Sequence, residues 1–292
     1  MRRIGLIALL LVVSLSALAA AGPLFLWHAE KDGAVIDLFG SIHAGKSAWY
    51  PLDARIELAF IAADTVACEI NVADMTVVAK VGGLAMQQGM YPADESLRDH
   101  ITPETWEKLQ NYEGLPVPST MLERMRPGLV AMMVAQSMLA QAGLDLQQGL
   151  DLHLLKRASD ANRPIVALET PESQVALIFG PDAVIDGLML DEALAETPET
   201  MIALLDDLVA AWQAGDPATM EAVYRSDWTD DERMIRFHEK LLVERNQGMA
   251  DGLQDRRGHW FVVVGALHLC GEEGVPALLS AAGWTVTQVG NR

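Results

Sequence analysis

Basic residues are scarce in this sequence: 21 Lys and Arg stand against 40 Asp and Glu, for a formal net charge of −19 at pH 7. Such a chain is not expected to bind nucleic acid or an anionic lipid surface, because both are gripped by clustered Lys and Arg. Much of the acid lies in residues 182–231, where it reads as solvated helix faces and identifies no substrate. Cysteine is nearly missing. Cys68 and Cys270 allow one disulfide at most, and two buried thiols are the simpler expectation. Several signatures are absent as well. There is no Gly-x-Ser-x-Gly elbow, no His-Glu-x-x-His, and no Walker or dinucleotide fingerprint. Serine-elbow, ordinary zincin and nucleotide chemistry are therefore set aside. No internal repeat of about 20 to 50 residues is evident.

Long apolar runs are confined to the start. Arg2 and Arg3 precede an almost wholly apolar stretch over 4–18, and Ala19-Ala20-Ala21-Gly22 offers small residues for cleavage. This is the pattern of a secretory signal peptide over 1–21, or, if uncleaved, of a membrane anchor. Removal would leave 22–292 as a secreted, periplasmic domain with no membrane span.

Short runs rich in Val and Ile then recur at 34–39, 65–68, 164–168, 260–264 and 285–289. Runs so short and continuous read as strands buried on both faces. Helical spacing separates them at 53–63, with Asp53 as N-cap, and at 127–142, 151–161 and 200–213. The expected fold is α/β, a mostly parallel central sheet covered by helices. The region from about 74 to 145 reads as mainly helical, an insertion or a lid. Its methionines, Met121, Met125, Met132, Met133 and Met138, are read as flexible packing and not as a soft-metal site.

Two segments echo each other near the two ends of the chain. Gly40-Ser41-Ile42-His43 and Gly265-Ala266-Leu267-His268 each follow an apolar strand run. A buried strand fixes its own end, Gly permits a sharp exit or a close backbone approach, and His lands beyond the sheet edge. Ligands of open α/β sheets bind in that crevice. The strands at 65–68 and 164–168 end in Glu69 and Glu169, which lie at the same edge if the strands are parallel. Two imidazoles and one or two carboxylates suit a divalent metal, which makes water a nucleophile near neutral pH; a carboxylate that does not ligate is a candidate general base. Ser41 is read as shaping the backbone. His28 and His259, each placed just before a strand, are expected at the opposite edge, and His153 on an ordinary helix position.

Further stretches carry a likeness. Tyr50-Pro51-Leu52, Ala63 to Glu69, Met125 to Ala131, Gly149-Leu150-Asp151, Pro164 to Thr170, Ala211 to Asp216, Glu244-Arg245-Asn246 and Val264 to Leu269 occur in order over almost the whole chain. In them the sequence resembles the TraB/GumN family, which includes the Tiki metalloproteases and is similar in fold to the erythromycin-esterase/ChaN-like group. The resemblance implies a divalent metal (Mn, Co or Zn) held by His43, His268 and Glu69, with Gly40 and Gly265 shaping the turns. It implies a pocket role for Glu169, Arg245 and Asn246, Arg245 pairing with a carboxylate or a substrate oxyanion. It also implies hydrolysis of a peptide or protein substrate. A haem- or metal-binding protein without catalysis, and an accessory protein of polysaccharide export, stay open as alternatives.

Overall fold

The computed structural model describes residues 22–115, 117–179, 183–195, 197–226 and 232–290. The proposed signal peptide, 1–21, lies outside them. Six strands form one sheet: β1 (Leu26–Lys31), β2 (Ala34–Ser41), β3 (Thr65–Cys68), β4 (Ile165–Ala167), β5 (His259–Gly265) and β6 (Thr285–Gln288). Their order is β4-β3-β5-β2-β1-β6. The neighbours β4, β3, β5 and β2 are mutually parallel, and β1 runs antiparallel to both β2 and β6. The sheet is thus mixed and mostly parallel, as the α/β reading expected.

β1 is absent from that reading, which had His28 preceding the first strand. Leu-Trp-His-Ala-Glu-Lys is not a continuous apolar run, so the criterion for doubly buried strands passes over it. Its signal is the Asp32-Gly33 pair that follows: both residues have positive φ, 51° and 79°, the backbone of a tight hairpin turn. The expectation of burial on both faces also fails at the sheet margin. β4 is an edge strand whose Ala167 is exposed, and β6, at the other edge, is half-buried at best.

Helices cover the sheet or build out from it. The first half holds α1 (Ala54–Ala62), α2 (Met75–Gln88), α3 (Pro103–Asn111), α4 (Ser119–Leu122), α5 (Pro127–Gln141) and α6 (Leu150–Asp160). After β4 come α7 (Pro171–Ile178), α8 (Ala183–Ala195), α9 (Pro198–Ala214) and α10 (Pro217–Ser226). Then α11 (Glu232–Glu239) runs through a π-helical turn, Lys240–Glu244, into α12 (Arg245–Gln254), and α13 (Val275–Ala281) precedes β6. Asp53 caps α1, accepting the Arg55 N–H at 2.9 Å.

Each sheet face has its own core. On one, Phe39, Phe261 and Val263 pack with Phe60 of α1 and Leu150, Leu154 and Leu155 of α6. On the other, Ile36, Leu38, Val262 and Val264 pack with Met249 and Leu253 of α12 and Leu279 of α13. Full burial of each such side chain contributes roughly 1.5–3 kcal/mol, enough to hold the strand ends rigidly. A third core is all-helical: Trp106, Leu109, Val130, Val134 and Met138 pack with Leu190 and Leu194 of α8. The middle region carries α2 to α5, and its core is completed by a helix much later in the chain. Met125 and Met138 are buried within it. Cys68 and Cys270 are free, buried thiols belonging to the cores on opposite faces of the sheet.

Candidate active site

Three adjacent parallel strands, β3, β5 and β2, end together, with Ser41 opposite Gly265 and Cys68 opposite Val263. Glu69 follows β3 directly, His43 stands two residues beyond β2, and His268 sits in the 3-10 turn Ala266–Leu269 after β5. The same Glu69 Oε1 lies 4.0 Å from His43 Nε2 and 3.8 Å from His268 Nε2. Gly265 forms the floor between them. A methyl group built there would stand 3.3 Å from Glu69 Oε1, 3.4 Å from His43 Nε2 and 3.5 Å from the His268 ring. Its N–H donates to Glu69 Oε1 at 2.7 Å. The backbone at 265 has φ −52° and suits any residue. Gly265→Ala is therefore expected to fold normally while crowding the point where the three side chains converge. Unchanged thermal unfolding together with loss of cation binding by calorimetry is the expected result.

Gly40 is a different kind of position. It lies inside β2, not at a turn, and a Cβ there would meet Phe25 Cδ1 at 2.8 Å and the Ala266 backbone at 3.0 Å. It lets the chain carrying His268 close on the sheet, and it lines no site.

Both imidazoles are aimed by partners on their other nitrogen. The Asn246 amide donates to the Glu273 carbonyl at 2.8 Å, which orients its Oδ1 to accept from His268 Nδ1 at 2.6 Å. Nδ1 then carries the proton, and the Nε2 lone pair faces Glu69. His43 Nδ1 lies 3.2 Å from Asp151 Oδ1, leaving its Nε2 toward the same carboxylate. Asp151 comes from the start of α6, which docks tightly on the loop carrying His43. Leu150 N donates to the Ile42 carbonyl at 3.0 Å, and a Cβ at Gly149 would strike the His43 carbonyl oxygen.

Glu69 and Glu169 are neighbours because pairing continues past β3 and β4, with Glu169 N donating to the Glu69 carbonyl at 2.9 Å. Arg245 spans both. Its Nε donates to Glu169 Oε1 at 2.8 Å, one terminal nitrogen donates to Glu169 Oε2 and Glu69 Oε2, and the other to the Leu241 carbonyl at 3.0 Å. Gln174 donates to Glu69 Oε2 at 3.2 Å and Glu169 Oε2 at 3.1 Å. The π-helical turn immediately before Arg245 delivers Arg245 and Asn246 to the site from one helix start. Of the two roles expected for Arg245, the geometry displays the carboxylate pairing. Glu169 has both oxygens engaged, which suits an anchor better than a free base.

Electrostatics separate the two histidines. Burial pushes His268 down to about 4, so its ring is neutral near pH 7. His43 is enclosed by protein atoms that disfavour its charge, but Asp151 and then Glu69 raise it to about 9. Its ring nevertheless faces an open cavity, with 59% of the side chain reached by solvent. For Glu69, burial acts upward, but His268, His43, Arg245 and the Gly265 N–H hold it down to about 2. Since His268 is neutral, Arg245 and His43 supply that effect at neutral pH. Glu69 and Glu169 flank the Arg245 guanidinium and Asp151 lies beside a charged His43, three carboxyl groups against two cations, a surplus of acid that favours a further cation.

Among the described residues no group of three or more His, Cys, Asp or Glu is placed closely enough to hold a metal ion. Ligands of a tetrahedral ion lie roughly 3.3 Å apart, so the gaps of 3.8 and 4.0 Å exceed that by a small side-chain adjustment. The donor types fit such an ion: His268 presents a free Nε2 lone pair, and His43 would give up its Nε2 proton to ligate.

The remaining histidines lie elsewhere. His153 stacks on Tyr50, ring centroids 4.2 Å apart. His28 Nδ1 and His259 Nε2 each lie 2.7 Å from the buried Asp37, away from the site edge. Asp151 and Gln174 were not foreseen as site residues. For Asp151 the signal was its place at the start of a helix beside a family-like Gly149; Gln174 offered none.

Strand-end histidines and carboxylates meeting over a glycine, on a mostly parallel sheet, define an α/β protein with its candidate site at the carboxyl edge of the sheet. The chain belongs to the TraB/PrgY/gumN family, whose profile matches residues 25–288. It is 30% identical over 247 residues to the Escherichia coli K12 protein named "Uncharacterized protein YbaP", covering 83% of this chain and 86% of that one. The Shigella flexneri protein of the same name matches equally. No solved structure matches significantly.

Proposed function

We propose that the protein is an exported, divalent-metal-dependent hydrolase acting on a peptide bond, with the cation held by His43 Nε2, His268 Nε2 and Glu69 Oε1. The observation that carries this reading is the convergence of two imidazole Nε2 atoms on one carboxylate oxygen above Gly265, a set that a cation would complete by displacing the His43 proton. A divalent ion in such a site polarises a carbonyl and makes water acidic enough to attack near neutral pH. Asn246 holds the His268 tautomer, Asp151 lies against His43 Nδ1 at 3.2 Å, and Arg245 with Glu169 and Gln174 fixes the Glu69 carboxylate in place. Export is supported by Arg2, Arg3, the apolar stretch that follows and the small residues before Gly22. Among the described residues no helix is long and apolar enough to cross a membrane.

The direct test is cleavage of a mixed peptide library by the purified protein with Mn²⁺, Co²⁺ or Zn²⁺. Activity that chelator abolishes and metal restores supports the reading; activity indifferent to chelator sinks it. Asp151→Asn gives a finer check. Losing an orienting partner should weaken metal affinity roughly 10–100-fold. In the metal-free protein, the same change should bring the His43 titration, seen by NMR, down from about 9 toward the ordinary histidine range. The raised value means that the His43–Asp151 attraction is fully present below the ordinary histidine value and fades as pH rises through about 9.

A further inference from the structure

Beside His43 and Glu69 opens a cavity of about 490 Å³, within the roughly 300–1,000 Å³ typical of small-ligand pockets. Its walls are mostly aliphatic, with Ile70 and Val72 after β3, Val78 and Val81 from α2, and Leu152 and Leu155 from α6, while Gln136, Gln147, Asp151 and Gln174 add polar groups at its margin. Ser41, Cys68 and Val263, small residues at strand ends, also line it. The Ser41 hydroxyl there is buried and has no hydrogen-bond partner, an orphan that a peptide carbonyl or N–H of a bound polypeptide, not its apolar side chain, would satisfy.

The outer wall, α2, is unusual. None of its residues is buried, yet its sequence is Met-Thr-Val-Val-Ala-Lys-Val-Gly-Gly-Leu-Ala-Met-Gln-Gln. Met75, Val78 and Met86 are 73%, 40% and 52% exposed. Its one charge, Lys80, is paired with Glu172 at 2.6 Å. A helix with this composition ordinarily packs into a core, so an exposed one marks an interaction surface.

We infer that this cavity is the specificity subsite of the enzyme, taking a large aliphatic or aromatic side chain of a polypeptide whose flanking apolar residues lie along α2. The inference rests on the hydrolase reading above and names its substrate class. Continuity decides the occupant. Val78 belongs both to the exposed strip and to the cavity wall, and the cavity ends at the reactive groups. A membrane offers a plane and not a plug for a concave site, and the strip lacks the free Lys and Arg that anionic lipid requires.

The test uses short, capped peptides with uncharged flanks and a single variable residue, Gly, Glu, Leu or Phe, bound to the full protein and followed by fluorescence anisotropy. Leu and Phe peptides should bind roughly tenfold or more tightly than Gly or Glu peptides, as burial of one large apolar side chain implies. Val81→Trp, which fills the cavity, should erase that preference. Val78→Asp, at an exposed position that folding tolerates, should weaken it as well, with thermal unfolding confirming both variants folded. Equal affinity across the series, or a preference that survives both substitutions, would overturn the subsite. So would α2-dependent binding to neutral phosphatidylcholine vesicles, or Val78-dependent dimerisation, without side-chain preference. Calorimetric metal titration of the same samples separates the two readings. Cation binding without side-chain preference removes the subsite alone, and preference without cation binding supports the subsite while removing the metal mechanism.

Discussion

Replacing either His43 or His268 with alanine is expected to eliminate high-affinity binding of a divalent cation by the purified protein. Each supplies one of two imidazole nitrogens facing Glu69 Oε1, at 4.0 and 3.8 Å. Removing a ligand should cost more than the roughly 10–100-fold that follows loss of an orienting partner. The two substitutions should differ in their effect on folding. His43 is largely exposed and His268 is buried and bonded to Asn246, so His43→Ala should leave stability close to the parent while His268→Ala lowers it. Isothermal titration with Mn²⁺, Co²⁺ and Zn²⁺, beside metal analysis of the protein as purified, measures this. Undiminished stoichiometry in both variants would end the metal reading.

Arg245→Ala is expected to be the most destabilising single substitution at the site. It strips the guanidinium from two carboxylates whose side chains are only 9% and 11% exposed. Breaking a buried ion pair by removing one partner typically costs about 3–5 kcal/mol, because the remaining charge stays desolvated. The deficit has a defined pH dependence. In the parent, the Glu69 carboxyl is held down to about 2, so its contribution is complete above the ordinary glutamate range and lost as pH falls through about 2. Without Arg245 the Glu69 carboxyl should take up its proton at higher pH, which relieves the unpaired charge. Urea unfolding at pH 7 and near pH 4 should therefore show a large gap that narrows with acid. Adding Glu69→Gln and Glu169→Gln to Arg245→Ala should restore part of the loss at neutral pH. A constant or absent gap would show that Arg245 is not the partner that holds these acids in the fold.

The sequence made the carboxyl edge legible to a considerable depth. Strands over 65–68 and 260–264 are recognisable because parallel strands covered on both faces must be apolar throughout, and Gly265, Glu69 and Glu169 mark where they stop. What escaped depends on contacts distant in sequence. β1 neither alternates nor runs continuously apolar, and only its turn betrays it. Asp151 reaches His43 because α6 docks against the loop through Gly149, a proximity that no spacing encodes. Gln174 is placed by α7 and looks like any surface glutamine. Arg245 and Asn246 are expected in the pocket from the family likeness, but the π-helical turn that aims them together leaves no residue signature. Gly40 and Gly265, alike in motif, turned out to serve different ends: one admits a backbone, the other clears a space among side chains.

The position of β5 also has a consequence for how the protein comes into being. β2 and β3 are close in sequence but do not pair with each other; the strand that joins them, β5, is synthesised after both. Until it inserts, a growing chain carries two unpaired strand margins and has neither Gly265 nor His268. Closing the sheet and assembling the reactive groups are therefore a single event. A chain cut short by accident would be left sticky, through its open edges, and chemically inert.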